Sequence, residues 1–327
     1  MNLNKAKIIK FLKGEDEEEL FNNASSLREN FFKNEVLLRA IIEFSNHCLR
    51  DCIYCGLRRE NSRLNRYRMK KDEILNASKR VIDKGVETIV LQSGDDIYYS
   101  RDMVVDLIKS IKFLSRSIAL TLSVGERVKD DYKAFYDAGA DRYLMKHETA
   151  NESLYNSLHP NQSFKERLDI LHLLKKIGYQ VGLGHIVGLP DQSLEDLAED
   201  IMLYQDFQPD MIGLGPFIPA ANTPFGSKES ADMKLVLRSY ALARVVTENA
   251  HIPLTTASIT KGEHNFIREV LRISANVIMV DSTPKEYSID YKIYDGRYSS
   301  SIEETDRLIR DVGFSPSYSK GDSLKKT

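Results

Sequence analysis

Three cysteines stand close together in this sequence, and no other cysteine occurs among its 327 residues. Cys48, Cys52 and Cys55 are separated by three residues and then by two. An odd number of thiols on one short segment is a poor disulfide framework. Three thiolates on one loop suit a metal centre, and iron–sulfur clusters take thiolate ligands, usually four. With only three, one metal position stays open to an outside ligand, as in catalytic metal sites.

Two other interpretations of the cysteines remain open at this point. A structural zinc site usually takes cysteine or histidine ligands from two separated pairs, and His47 is too close in sequence to be an easy fourth ligand. Three unliganded core thiols are the second alternative. The polar residues of the loop, including Arg50 and Asp51, argue against that alternative.

The overall composition excludes several classes of protein. The chain of 37.4 kDa has 46 basic and 48 acidic side chains, and this balance argues against a dedicated binder of nucleic acid. No apolar run reaches the roughly 20 residues of a membrane span. Charges interrupt the apolar residues 8–12 too often for a signal peptide. We therefore expect a cytoplasmic protein without nucleic-acid or membrane partners.

The cysteines follow the first of eight short β-rich runs, which alternate with amphipathic helical patterns. The expected strands are 36–44, 87–91, 117–122, 142–145, 180–186, 211–215, 252–256 and 276–280. Eight β/α units over about 250 residues predict an α/β fold, a (β/α)8 TIM-type barrel, with its chemistry at the carboxyl ends of the strands. A doubly wound sheet usually has a glycine-rich loop where this chain has its cysteines.

The barrel is expected to form residues 36–300, between two short extensions. The N-terminal extension, residues 1–35, contains apolar residues spaced four, three and four apart from Leu20, which predict an amphipathic helix covering one barrel end. Residues 301–327 are expected to form a short helix and a polar tail. We expect this tail, from residue 315 onward, to be frayed.

The spacing Cys-x3-Cys-x2-Cys, with Tyr54 before the last cysteine, resembles the signature of the radical S-adenosylmethionine (radical SAM) enzymes. The resemblance implies a [4Fe–4S] cluster whose open iron binds the amino and carboxylate groups of SAM. Reduction would then cleave SAM to a 5′-deoxyadenosyl radical. The protein's task would be to hold and orient these cofactors and to exclude solvent.

Several further stretches are similar to one branch of that superfamily. They are 54–59 (YCGLRR), 65–69 (NRYRM), 91–94 (LQSG), 140–144 (ADRYL), 147–151 (HETAN), 187–190 (VGLP) and 215–219 (GPFIP). Together they resemble HydE, a maturase that helps to build the H-cluster of [FeFe]-hydrogenase, over roughly residues 36–300. The sequence departs from HydE at Lys146, where an arginine is usual, in the loop 258–264, and at Asp281 and Ser282.

The resemblance implies a set of SAM-binding residues. Ser93 and Gly94 match the loop that meets the SAM amino group, and Ser123 matches a serine near the nucleoside. Glu148 matches an acid that contacts SAM, and Arg167 matches the arginine near the SAM carboxylate. The plain alternatives are a turn, a helix cap, a partner for a basic side chain and a solvated helix face, respectively.

The same resemblance implies substrate-facing positions in the upper barrel. The candidate catalytic residues are Thr255, Thr256, Tyr291, Tyr294 and Lys146. With Tyr287, the tyrosines are spaced as on one helical face, so ordinary core packing is the alternative. Arg142 and Lys146 are expected to point the same way as Glu148, giving a positive interior that favours an anionic substrate.

These residues lead to three functional hypotheses. The first is a HydE-type enzyme acting on an iron–carbonyl–cyanide–cysteine synthon, together with other hydrogenase maturases and a ferredoxin or flavodoxin as electron donor. The second is a mutase like methylornithine synthase, acting on an amino acid. The third is a non-enzymatic iron–sulfur carrier that does not bind SAM. The absence of further cysteines argues against sulfur insertion from a second cluster.

Overall fold

The computed structural model describes residues 3–325. Its strands are β1 Glu35–Ser45, β2 Thr88–Ser93, β3 Ala119–Ser123, β4 Arg142–Leu144, β5 Gln180–Leu183, β6 Ile186–Val187, β7 Met211–Ile212, β8 Gly215–Pro216, β9 Pro253–Leu254, β10 Val277–Asp281 and β11 Ser315–Ser317. Its helices are α1 Lys5–Lys13, α2 Glu17–Phe32, α3 Lys71–Asp83, α4 Arg101–Leu114, α5 Lys129–Ala138, α6 Glu152–Leu158, α7 Phe164–Ile177, α8 Leu194–Phe207, α9 Met233–Thr247, α10 Thr256–Lys261, α11 His264–Ile273, α12 Lys285–Ser288 and α13 Ile302–Asp311.

Eight parallel strands form a nearly closed barrel in the order β7-β5-β4-β3-β2-β1-β10-β9. The gap between β7 and β9 is bridged where the Ile212 amide donates to the His251 carbonyl at 2.9 Å. The predicted TIM-type barrel is confirmed, and all eight expected strands are present. Two of them are interrupted, so that 180–186 contains β5 and the first residue of β6, and 211–215 contains β7 and the first residue of β8.

Strand β1 shows why the predicted strands are mostly apolar along their whole length. Alternate side chains point to opposite faces of a strand, and both faces of a parallel barrel strand are buried. Arg39 Nη1 donates to Met211 Sδ at 3.0 Å, so the face of Arg39 points into the barrel. The other face, which includes Leu38 and Ile42, is fully buried in the apolar core.

The helix boundaries follow the capping signals of the sequence. The Ser163 side chain accepts from the Glu166 amide at the start of α7, and Gly178 ends this helix in the left-handed conformation, with φ 114°. A capping box at Ser193 begins α8. Each signal satisfies backbone groups that the helix itself leaves unpaired. These caps turn the chain back toward the barrel after each helix.

The N-terminal helices lie on the side of the barrel. Helix α1 packs on α8 and α9, and α2 packs on α9 and α11. Helix α2 contains the apolar residues predicted from Leu20 onward. The prediction that it covers a barrel end is wrong for most of its length, because its apolar face packs on other helices. Two residues near its end reach the amino ends of the strands: Arg28 donates to the carbonyl oxygens of Glu35 at 2.7 Å and Ala275 at 3.4 Å, and Phe32 contacts His251. Within residues 3–325, no helix is long and apolar enough to span a membrane.

The C-terminal tail is ordered, so the prediction that it is frayed is wrong for residues 315–325. Strand β11 pairs with the start of β1. The Gly321 carbonyl then accepts hydrogen bonds from Arg39 Nη2 at 3.1 Å and from Arg142 Nη2 at 3.0 Å. Buried guanidinium groups need acceptors, and the tail supplies them. The division into residues 1–35, 36–300 and 301–327 stays a prediction.

Arg142 does not join Glu148 in the upper barrel, so that expectation is wrong. Arg142 is the first residue of β4 and is fully buried. It shares the strand face of Lys146, but it lies at the amino end of β4, whereas Glu148 follows the carboxyl end of that strand. Its partners are Gln180, Thr88 and the C-terminal tail, at the amino ends of the strands. It belongs to the lower end of the barrel.

Candidate active site at the carboxyl ends of the strands

The cysteine loop leaves the carboxyl end of β1 and is fixed by backbone hydrogen bonds to its neighbours. The Leu49 amide donates to the Asp95 carbonyl, after β2, at 3.0 Å. The Ile53 amide donates to the Leu158 carbonyl at the end of α6, also at 3.0 Å. The Gly56 amide donates to a carbonyl in the loop after α12 at 2.8 Å. The loop is thus a braced part of the barrel mouth.

Two glycines allow this close packing. A Cβ atom on Gly94 would lie 2.7 Å from the Cβ of Cys48 and would collide with the carbonyl oxygen of His47. A Cβ atom on Gly56 would collide with the carbonyl oxygen of Lys292. Ordinary carbon–carbon contacts are about 3.5–4.0 Å, so neither glycine can be replaced without moving the loop. Gly94 therefore packs against the cysteine loop, and its predicted contact with SAM stays a prediction.

Arg66 stabilises the cysteine loop by hydrogen bonds to its backbone. Its Nη1 atom donates to the carbonyl oxygens of Asn46 at 2.5 Å and Leu57 at 2.9 Å, and its Nη2 atom donates to that of Arg58 at 2.6 Å. One guanidinium thus satisfies carbonyls on both sides of the three cysteines. The motif NRYRM, at residues 65–69, contains this arginine and acts here as a brace.

The spacing of the three sulfur atoms bears on the choice between zinc and a cluster. Among residues 3–325, the one group of three histidine, cysteine or acidic side chains with ligand atoms within 4.8 Å of one another is His147, His185 and Asp200. The three cysteine sulfurs do not meet that limit. Ligands around a single tetrahedral zinc lie about 3.8 Å apart for sulfur. The wider spacing fits a multinuclear iron–sulfur cluster.

The three thiols are half-buried, and two of them accept hydrogen bonds. Burial raises the pKa of Cys52 to about 12, and it also raises the pKa of Cys48 and of Cys55. The Arg50 amide donates to Cys48 Sγ at 3.4 Å, and Gln162 Nε2 donates to Cys52 Sγ at 3.6 Å. Because metal ligands must be thiolates, a positively charged centre has to offset this burial. The donor set fits a [4Fe–4S] cluster held by these three residues.

A chain of charged groups joins the cysteine loop to the next strands. Arg50 forms ion pairs with Asp95 and, at 2.9 Å, with Glu126. Glu126 also accepts from Arg167 Nε at 2.7 Å, and Arg167 Nη1 donates to the Lys146 carbonyl at 2.6 Å. Arg167 is therefore not on a solvated helix face. The sequence did not single out Arg50, Asp95 or Glu126, because no local motif marks residues that meet only in the fold.

Glu148 occupies a strained position close to this chain. Its φ angle is +64°, which non-glycine residues rarely adopt. Its Oε2 atom lies 3.0 Å from Lys146 Nζ as an ion pair, but among residues 3–325 it has no hydrogen-bond partner. Burial opposes ionisation, yet Lys146, His159 and Arg167 lower the net pKa of Glu148. The carboxylate is thus ionised, with acceptor capacity left for hydroxyl or ammonium groups.

A buried carboxylate contacts residues on both sides of Glu148. Asp200 Oδ1 accepts from the Ala150 amide at 2.6 Å and lies 3.0 Å from His147 Nε2. His185 belongs to the same fully buried group. Burial raises the pKa of Asp200 to about 7. Because His147 and Ala150 flank the strained residue, Asp200 positions Glu148 without contacting it.

The two serines predicted to contact SAM lie at the ends of neighbouring strands. Ser93 ends β2, and its hydroxyl donates to the Gly94 carbonyl at 2.7 Å. Ser123 ends β3 and is half-buried. It does not cap the following helix, because the N-cap of α5 is Val128. The structure therefore brings Ser93, Gly94 and Ser123 to the same barrel mouth as the cysteines.

The tyrosines of the substrate end do not share a helical face. Helix α12 ends at Ser288, so Tyr291 and Tyr294 lie in the loop that packs on the cysteine loop. Spacing alone suggested a helix, but this segment instead provides the carbonyl that Gly56 contacts. Tyr291 is buried, and its hydroxyl accepts from Gln92 Nε2 at 3.1 Å. Tyr294 is half-buried and hydrogen-bonds Thr260.

Thr255 and Thr256 stand at the start of a helix. The Thr255 side chain caps α10 by accepting from the Ser258 amide, and its hydroxyl lies 3.0 Å from Ser258 Oγ. Thr256 is the first residue of that helix and is half-buried. Capping is sufficient to explain the presence of Thr255. Its predicted role in substrate binding stays a prediction, as does that of Thr256.

The upper barrel carries both charge signs. Arg297 Nη2 pairs with Glu43 Oε1 at 2.6 Å, and Arg297 Nη1 lies 3.4 Å from Asp281. Burial raises the pKa of Glu43 to about 8. Lys146 and Glu148 form a second pair of opposite charges. The prediction of a positive interior is therefore wrong, because acids and bases are paired there. The pairs of Arg297 join residues far apart in the sequence, so the sequence alone could not identify them.

Comparison with known proteins agrees with this geometry. Residues 42–203 match the family model of the radical SAM superfamily. The chain is 44% identical over 283 residues to the [FeFe]-hydrogenase maturase subunit HydE of Thermotoga maritima, covering 86% of this chain and 80% of that protein. It is 27% identical to the 3-methylornithine synthase of Methanosarcina acetivorans, covering 92% and 84% of the two chains.

Solved structures share the architecture. Methylornithine synthase (PylB) superposes with a TM-score of 0.84 at 23% identity, over 97% of this chain and 95% of that one. The maturase HydG of Carboxydothermus hydrogenoformans superposes with a TM-score of 0.82 at 20% identity, over 97% and 76%. At these identities, the likeness shows the fold alone. The identity to HydE is higher and extends over most of the chain, so this chain belongs to the HydE family of the radical SAM superfamily and is an enzyme that uses a [4Fe–4S] cluster and SAM.

Proposed function

We propose that this enzyme acts in the assembly of the [FeFe]-hydrogenase H-cluster, on an iron–carbonyl–cyanide–cysteine synthon held in the upper barrel. The observation that carries the proposal is the 44% identity to HydE over 86% of the chain. The paired charges at the carboxyl ends of the strands support it, because a polar organometallic carrying an amino acid offers both anionic and cationic groups.

Each residue of the site has a defined task in this proposal. Cys48, Cys52 and Cys55 hold the cluster, which supplies the electron for cleavage of SAM. Glu148 accepts from SAM hydroxyl or ammonium groups, and Arg167 binds the SAM carboxylate.

The remaining residues complete the binding of SAM and substrate. Ser93, Gly94 and Ser123 line the SAM side of the barrel mouth. Lys146, Thr255, Thr256, Tyr291 and Tyr294 face the substrate. The braced loop and its buried neighbours keep water away from the reacting groups.

The partners and setting follow from the same proposal. The product would pass to other hydrogenase maturases, and the cluster would receive its electron from a ferredoxin or a flavodoxin. An open iron position is sensitive to oxygen, which favours an anaerobic cytoplasm. These statements rest on the family to which the chain belongs.

The first test measures cofactor and chemistry together. Anaerobically reconstituted protein is expected to bind about four irons, in line with a cubane cluster, and to cleave SAM under reduction by dithionite. A Cys52→Ala variant is expected to lose SAM cleavage, whereas the exposed Ser62→Ala control in the following loop keeps it. Full SAM cleavage by Cys52→Ala, or zinc in place of iron, would contradict the proposal.

The second test addresses the substrate. With the synthon, SAM and the other maturases, the protein is expected to activate an apo-hydrogenase. The identity of 27% to 3-methylornithine synthase motivates the alternative, a mutase acting on an amino acid. Formation of methylornithine from lysine would establish that alternative. Transfer of a cluster without any SAM binding would instead indicate a carrier.

A further inference from the structure

The connection between α6 and α7 packs against the second half of the cysteine loop. At the end of α6, the Leu158 carbonyl accepts from the Ile53 amide at 3.0 Å. In the next residue, His159 Nε2 lies 2.9 Å from the Tyr54 hydroxyl. These two contacts fix the start of the connection beside the segment that carries Cys52.

The same connection places a hydrogen-bond donor on one of the cysteine sulfurs. Gln162 Nε2 lies 3.6 Å from Cys52 Sγ, and sulfur accepts hydrogen bonds at longer distances than oxygen does. Among residues 3–325, no other side chain donates to a cysteine sulfur. Cys48 Sγ accepts instead from the Arg50 backbone amide at 3.4 Å, a donor that no side-chain substitution removes. Gln162 is therefore the side chain through which the protein can adjust a predicted cluster ligand.

Arg167 determines which way the Gln162 amide points. Its Nη2 atom lies 3.2 Å from Gln162 Oε1. A guanidinium has only donors, so the atom that faces it must be the amide oxygen, and the NH2 group must face Cys52. Arg167 is itself held by Glu126 Oε1 at 2.7 Å and by the Lys146 carbonyl at 2.6 Å. The donor is thus kept toward the sulfur by an anchored neighbour.

We propose that Gln162 is a positioning residue that acts through Cys52 and raises the reduction potential of the cluster. The inference rests on the proposed function, in which Cys48, Cys52 and Cys55 hold that cluster. One-electron reduction adds negative charge to the cluster and to its sulfur ligands, and no bond to Gln162 forms or breaks. A donor on the sulfur stabilises this added charge, so the reduced state gains more from the hydrogen bond than the oxidised state.

The charge on the acceptor sets the size of the effect. A hydrogen bond to a charged group changes an equilibrium constant by roughly ten-fold. Loss of the Gln162 donor should therefore lower the ratio of reduced to oxidised cluster about ten-fold at a fixed solution potential, which is about 59 mV for one electron. A redox titration resolves a shift of this size.

The test compares three variants with the wild type, each reconstituted anaerobically, in a titration with dithionite followed by EPR of the reduced cluster. Gln162→Leu removes the donor. Gln162→Glu keeps the shape and still presents an oxygen to Arg167, but its carboxylate offers Cys52 only an acceptor. The control, Asn161→Asp, makes the same change from amide to carboxylate at the exposed neighbouring residue. The titration is done without SAM.

The potential is expected to fall in Gln162→Leu and to fall further in Gln162→Glu, because a carboxylate repels the charge that reduction adds. In Asn161→Asp, the reduction equilibrium should stay within about two-fold of wild type, since solvent and salt screen an exposed charge. Gln162→Leu should bind iron and SAM as the wild type does, because Arg167 keeps its bonds to Glu126 and to the Lys146 carbonyl.

Three results would overturn the inference. The first is an equal potential in Gln162→Leu and wild type. The second is an equal fall in Asn161→Asp and Gln162→Glu, which would show an effect of net charge alone. The third is loss of iron from both Gln162 variants, because Gln162 would then support the loop and would not adjust the potential.

Measurements on the wild type separate this inference from the proposed function. If the wild type binds no iron, or shows no EPR signal on reduction, the cluster assignment fails and the proposed function fails with it. If the wild type carries the cluster and Gln162→Leu has the same potential, the inference alone fails. The titration needs no substrate, so its result does not depend on whether the enzyme acts on the synthon or on an amino acid.

Discussion

Gly94 offers the sharpest test of how the barrel shapes the cysteine loop. In a Gly94→Ala variant, the new methyl group would lie 2.7 Å from the Cβ of Cys48 and would collide with the His47 carbonyl. Backbone surrounds the site on this side, so no flexible side chain can move aside. The cysteine loop itself has to move away from β2.

The geometry gives the size of the effect. An ordinary carbon–carbon contact is about 3.5–4.0 Å, so the Cys48 backbone must shift by roughly 1 Å. Overpacking of this kind costs about 1–3 kcal/mol of unfolding free energy. Distances between metals and ligands tolerate only about 0.2 Å, so the same shift should reduce cluster binding more than it reduces stability.

The assay compares Gly94→Ala with Gly213→Ala. A methyl group on Gly213 meets no atom closer than 3.8 Å, so this control adds an alanine to the barrel without a clash. Iron per protein after anaerobic reconstitution and the denaturant midpoint of the apoprotein are measured for both. Gly94→Ala should bind markedly less iron than Gly213→Ala and should unfold at lower denaturant. If the two variants bind iron equally, the packing argument is refuted.

Three further predictions concern the charged groups. Glu126→Gln should lower the unfolding free energy by about 1–2 kcal/mol, measured by denaturation, because its carboxylate accepts from two guanidinium groups. Deletion of residues 319–327 should lower the thermal midpoint far more than Asp322→Ala, since Asp322 is exposed but the neighbouring carbonyls serve buried arginines. Burial raises the pKa of Asp200 to about 7, so the native state holds its proton more tightly than the unfolded chain. The contribution of Asp200 to stability should therefore fall from pH 4 to pH 7, so in denaturation at several pH values the stability of the wild type relative to Asp200→Asn should fall over that range.

The barrel was predictable because its signals are local and repeated. Eight apolar runs and the serine and glycine caps of the helices each follow from a few adjacent residues, and all eight expected strands are present. The tail was not predictable in this way. Residues 320–323 form a short polar segment without an apolar pattern. This segment is ordered because Arg39 of β1 and Arg142 of β4 donate hydrogen bonds to it.

The site also contains residues that local motifs mark and residues that only the fold brings together. The cysteine motif marks Cys48, Cys52 and Cys55 within eight residues, and a resemblance to known motifs identified Glu148 and Arg167. The bridge between Arg50, Glu126 and Arg167 joins two loops and helix α7, so no spacing in the sequence marks it. The spacing of the tyrosines wrongly suggested a helix. Residues 289–297 instead pack on the cysteine loop, and this tertiary contact overrides a weak helical pattern.

The two ends of the barrel satisfy their buried charged groups differently. The lower end contributes to stability, and the upper end keeps acceptors for a ligand. At the lower end, Arg142 donates to backbone carbonyls of the tail, so folding itself completes its hydrogen bonds. At the upper end, Glu43 Oε2 and Glu148 Oε2 are buried without a hydrogen bond, although each side chain pairs with a basic group. An unmet buried acceptor costs about 1–3 kcal/mol, which a ligand that donates to it removes. The upper end thus leaves two carboxylate oxygens for a ligand, whereas at the lower end the tail completes the hydrogen bonds of Arg142 and leaves Arg39 Nε without a partner among residues 3–325.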